Sequence, residues 1–238
     1  MISPLLTIMV SPLLLQVQAG ASCSQRDYFA THIEVTVDKK PINYIRDVSL
    51  GELRHRLKSS LVKRQKEMGT NSFLSDEGTD SADLAISGTT SADISFDTDI
   101  TFLALPQTVK NSRFCLIFKD VTVNVVYQTN MTIARELEEG DCAYDSVLQH
   151  QMKHHSANEK VVDALVGQLK AELPAILSQY ERNYVIKRDV NASYQEMIKS
   201  VNEALEPYQE DMDNLIKDYA AYIDTPEELK ALANSCNQ

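Results

Sequence analysis

FCLIFKDVTVNVVYQTNMTIARELEEGDCAYDSVLQHQMKHH, from Phe114 to His155, carries both halves of the fold in one stretch. Phe114 to Phe118 and Val121 to Tyr127 are rich in β-branched and aromatic residues, and they read as two strands separated by the polar pair Lys119-Asp120. Beyond Gly140 the pattern turns helical and continues from about Cys142 to Tyr180, with a bend expected at Pro174. A strand-rich half followed by a helical half places the chain in the α+β class.

Upstream, Ile100 to Leu105 forms another strand, and Ile33, Val35 and Val37 alternate with Glu34 and Thr36 as a half-buried strand does. Between them, Ser49 and Glu52 stand at capping-box spacing before Leu50, Leu53, Leu57 and Leu61, a helix reaching about Met68. Its outer face carries Arg54, Arg56, Lys58, Lys63, Arg64 and Lys66, a solvated face or an anion-binding strip. From Gly69 to about Asp97 the Ser, Thr, Asp and Gly content predicts a long loop with short extended pieces. Its acidic residues lack the spacing of a calcium loop.

Downstream, a helix is expected from about Ala192 to Ile223, with Tyr194, Met197, Val201, Leu205, Tyr208, Met212, Leu215, Tyr219 and Tyr222 forming an apolar packing stripe. Thr225-Pro226-Glu227-Glu228 caps a short final helix, because Pro suits the first helical position and Glu the third.

Residues 1–21 read as a signal peptide: an uncharged segment with apolar pieces Leu5 to Val10 and Leu13 to Leu15, interrupted at Pro12, ends at Ala19-Gly20-Ala21, and it is too short to serve as a membrane anchor. The expected location is periplasmic or secreted. All four cysteines, Cys23, Cys115, Cys142 and Cys236, follow that cleavage point, so two disulfides are expected in an oxidising space. Cys115 with Cys142 is the favoured pair, leaving Cys23 to Cys236. A formal charge of −11 argues against a general nucleic-acid binder. The expected organisation is the signal peptide, a strand-rich domain over 22–182 that carries the histidine helix, and a C-terminal helical segment over 183–238 packed on it.

Three of the five histidines fall in His150-Gln151-Met152-Lys153-His154-His155. Residues four apart on a helix share a face about 6 Å apart, so His150 and His154 can both offer an imidazole nitrogen to one metal ion. Zinc suits neutral imidazole and tetrahedral geometry, and it is the expected cofactor.

This stretch resembles the His-Glu-x-x-His pattern of the zincin peptidases, with Gln151 at the position of the general-base Glu. More broadly, strands with a cysteine, the acidic segment Glu136 to Asp141, a second cysteine and the histidine helix look like a small group of secreted bacterial proteins described as zinc-dependent proteases. The resemblance spans roughly Ile100 to Leu173, and it implies a zincin-like fold, a peptide or protein substrate and hydrolysis of peptide bonds. Gln151 is a departure: a neutral amide cannot accept the proton of metal-bound water. Loss of a positioned base costs about 100- to 10,000-fold, so activity is expected to be impaired.

For the third metal ligand, the metzincin extension fails because Lys160 occupies its third His position. Glu159 resembles an acidic position that follows the motif in some relatives, although an unbroken helix turns it toward the His155 side. Asp163 and Glu172 are alternatives. The rival readings are a non-catalytic exported protein whose C-terminal stripe docks a partner, and metal sequestration through the histidine cluster.

Overall fold

The computed structural model describes residues 30–56, 87–108, 113–180 and 182–236. The expected signal peptide, the far part of the basic helix and residues 69–86 of the expected loop lie outside them. The described elements are β1 (His32–Lys39), β2 (Asn43–Ile45), a helical stretch over 50–56, β3 (Gly88–Thr108), β4 (Arg113–Ile133), α1 (Cys142–Tyr180), β5 (Arg182–Ile186), a 3-10 turn (Lys187–Asp189), α2 (Val190–Ile223) and α3 (Pro226–Asn234). None of the described helices is long and apolar enough to cross a membrane.

The sheet is mixed and built around β4. β3 runs antiparallel along its whole length, from Gly88 opposite Ile133 to Thr108 opposite Arg113. A strand has only two edges, so the other edge of β4 is shared end to end: β5 at Arg113 to Leu116, β1 at Asp120 to Tyr127, β2 at Asn130 to Thr132. β1 and β2 are parallel to β4, and β5 is antiparallel.

Residues 88–97 belong to β3 rather than to a loop, because Ala92, Ile94 and Phe96 alternate with Asp93, Ser95 and Asp97, and the apolar set packs into the core. Lys119-Asp120 is a bulge inside one 21-residue strand rather than a turn between two: the register shifts between Ile100 and Phe102. Thr101 closes it, its hydroxyl donating to Asp120 Oδ2 at 2.8 Å and accepting from the Asp120 amide at 3.1 Å. The extra residue keeps Leu116 and Phe118, then Val121, Val123, Val125 and Tyr127, on one face.

α1 and α2 cover that face. Val162, Leu165, Leu169, Leu173 and Leu177 of α1 and Met197, Val201, Leu205 and Met212 of α2 are buried against it in one continuous core. The C-terminal stripe is thus packing surface as far as Leu215, while Tyr219 and Tyr222 are exposed. Contacts of Tyr208 with Glu172 and of Asp224 with His150 show that α2 runs back antiparallel along α1.

Ser49 caps the helical stretch as expected, accepting from the Glu52 amide at 3.2 Å. Cys142 is bonded to Cys236, which corrects the expected pairings of Cys142 with Cys115 and of Cys236 with Cys23; Cys115 is disulfide-bonded as well. The reason is topological: Cys115 points to the outer face of the sheet with Ile117, Leu103 and Leu105, while Cys142 opens the helix on the opposite layer.

Candidate metal centre

His150 and His154 lie one turn apart on the buried side of α1, each less than a tenth exposed. Near them Val147 is wholly buried against Met131 and Ile133 of β4, and this contact fixes the helix against the sheet. Close approach also depends on Gly88: a Cβ there would stand 2.6 Å from Val147 Cγ1 and 3.1 Å from Gln151 Cγ.

The third corner comes from the far end of the helical pair. α2 stops at Ile223 because Thr225 precedes Pro226, and a residue before proline is driven out of the helical region; Thr225 is extended, with φ −70° and ψ 153°. Thr225 then caps α3, its side chain accepting from the Glu228 amide at 3.2 Å. Asp224, between the two helices, has its amide tied to the Ala220 carbonyl at 2.9 Å. Its carboxylate is therefore delivered on a braced corner.

Asp224 Oδ1 lies 3.0 Å from His150 Nε2 and 2.9 Å from His154 Nε2, and the two Nε2 atoms are 3.2 Å apart. These three form a group able to hold a metal ion. With ligand bonds of about 2.0–2.1 Å, a tetrahedral ion separates its donors by about 3.3 Å, so the triangle needs only a slight expansion to fit zinc. The donor set, two imidazoles and a carboxylate, suits that ion, and the half-exposed Asp224 side chain (44 %) leaves one side of the group facing solvent.

The electrostatics agree with the geometry. Burial pushes the Asp224 carboxyl upward, but the hydrogen bonds from His150 and His154 outweigh it and hold the group at about 2. Asp224 is thus a permanent anion at neutral pH.

The other residues singled out from sequence fall elsewhere. Gln151 is buried, and its side-chain carbonyl accepts from the Thr90 hydroxyl of β3 at 2.9 Å. His155 turns to the sheet, where its Nδ1 bonds Thr129 Oγ1 at 2.8 Å, and Thr129 in turn bonds the Tyr127 hydroxyl at 2.7 Å. Glu159 sits with His155 at 3.7 Å and with Lys39 of β1 at 3.5 Å, not with His150 and His154; Asp224 takes the corner that Glu159 was expected to fill. Asp163 pairs with Lys39 at 3.0 Å. Glu172 is bonded by Tyr208 and Gln168, and it lies 22 residues, about 33 Å, along α1 from His150.

Sequence reasoning confined to the histidine helix missed Asp224, yet a signal was present. From His150 to the end of α1 is about 45 Å, and from the start of α2 to Asp224 is about 51 Å. Two long helices joined as a hairpin therefore return residue 224 to the level of residue 150.

A two-layer mixed α/β domain with two buried histidines and a corner aspartate is, as a class, a protein with a candidate divalent-metal centre. No family model, curated protein or solved structure matches the chain.

Proposed function

We propose that this chain is an exported zinc-binding protein on a zincin-like plan, with peptide-bond hydrolysis as its implied chemistry and with that chemistry impaired by Gln151. The observation that carries the metal reading is the convergence of His150 Nε2, His154 Nε2 and Asp224 Oδ1 within hydrogen-bond distance of one another. His150, His154 and Asp224 would hold the ion, and zinc so held would polarise a peptide carbonyl and activate water. Resemblance to the His-Glu-x-x-His pattern supports the choice of reaction. Gln151 weighs against turnover twice over: an amide takes up no proton, and its oxygen is already engaged by Thr90.

The bond from Thr90 favours a second reading, in which residue 151 anchors α1 to β3 and the histidines serve non-catalytic metal binding. The Cys142–Cys236 disulfide and the bonded Cys115 support an extracytoplasmic location, since such bonds persist in oxidising compartments.

Elemental analysis of the purified chain beside His150→Ala/His154→Ala tests the metal, and Gln151→Glu assayed on a denatured protein substrate tests the chemistry. One zinc per chain, lost in the double variant, with proteolysis appearing on Gln151→Glu, is the expected outcome. Zinc without proteolysis would move the assignment to the second reading, and absence of bound metal would overturn both.

A further inference from the structure

His150 uses only one of its two ring nitrogens in the group just described. Its Nε2 faces Asp224 and His154, while its Nδ1, on the other side of the ring, is buried with no hydrogen-bond partner. The acidic group that approaches it is on α3: Glu228 Oε1 stands 3.8 Å from His150 Nδ1.

An imidazole that ligates a metal through Nε2 carries its proton on Nδ1, and that proton needs an acceptor both to fix the ring and to raise the basicity of the ligating nitrogen. We infer that Glu228 is a positioning residue for the metal centre, accepting the Nδ1 proton of His150 when an ion is held. The inference rests on the metal reading above.

The surroundings of Glu228 fit the role. Its backbone is fixed by the Thr225 cap, and its Oε1 is also bonded by Lys153 of α1, so the carboxylate is kept at the α1–α3 seam. Cys142–Cys236 ties the C-terminal end of α3 to the start of α1, so α3 is anchored to that helix at both ends. A shortening of roughly 0.8 Å would bring Nδ1 and Oε1 to ordinary N–H···O length.

The test is zinc titration of the full oxidised chain, in wild type, Glu228→Ala and Glu228→Gln, with thermal unfolding of each metal-free protein alongside. Removing a partner of this kind costs about 10- to 100-fold in metal affinity, and that loss is expected for Glu228→Ala. Glu228→Gln keeps an acceptor oxygen and is expected to restore most of the affinity. In nitrogen-15 spectra of the zinc-loaded protein, the His150 Nδ1 proton should exchange slowly in wild type and fast in Glu228→Ala. A role confined to the ion pair with Lys153 would instead lower the unfolding temperature of the metal-free protein and leave both zinc affinity and proton exchange unchanged. That result overturns the inference and spares the metal reading. Failure of the wild type to bind zinc overturns both.

Discussion

Asp224 meets two imidazoles at 2.9 and 3.0 Å, and it contributes to the acid dependence of the metal-free fold. Its carboxyl is held at about 2, against about 3.9 for an unfolded Asp. A depressed folded value means that the contribution is fully present above roughly pH 4 and is lost as the pH falls toward 2. Asp224→Asn is therefore expected to flatten that part of the stability profile, measured by urea unfolding across the range. At Gln151 the same logic runs through burial. Thr90→Val leaves the amide oxygen of a residue only 3 % exposed without its donor, which should cost about 1–3 kcal/mol in chemical denaturation. The histidine pair was legible in the sequence because i and i+4 on a helix are neighbours. Asp224 was less so, because its partners lie 70 and 74 residues away and only the lengths of two helices bring it back to them.

Among the elements, α1 and α2 could be read almost to their ends, since long apolar periodicity and the Thr-Pro-Glu-Glu cap leave few alternatives. The first half of β3 could not, because Ser, Thr and Asp dominate its outward positions and mask the inward row of Ala92, Ile94 and Phe96, whereas its second half from Ile100 was readable. The join between Phe118 and Val121 misled for a related reason: two polar residues look like a turn, and only pairing with Thr101 makes them a bulge. Closeness of β3 to α1 yields a test at this scale. In Gly88→Ala the new methyl stands 2.6 Å from Val147 Cγ1, a stiff β-branched side chain that is wholly buried. The helix must shift, at a cost of about 1–3 kcal/mol, and zinc affinity should fall with it because His150 lies one turn along. Unchanged unfolding and unchanged titration in this variant would show that the helix does not need the glycine.

At the scale of the molecule, one core joins both helices to the sheet, and the candidate site lies where the first part of α1 meets the corner between α2 and α3. Leu169 is wholly buried in that core, so Leu169→Ala should destabilise the chain by about 2–5 kcal/mol without touching a ligand. Cys142 and Cys236 are 94 residues apart, and they close a large loop that includes α1, β5, α2 and α3. Cys142→Ser/Cys236→Ser should cost about 2–4 kcal/mol and weaken zinc binding as well, because the bond holds the segment that carries Asp224 and Glu228. The measurement that bears most directly on the centre is zinc titration of Asp224→Ala beside Glu159→Ala. With Asp224 as the third donor, Asp224→Ala loses more than the about 10- to 100-fold typical of an outer partner, while Glu159→Ala titrates like wild type. Wild-type affinity in Asp224→Ala would contradict the centre drawn here.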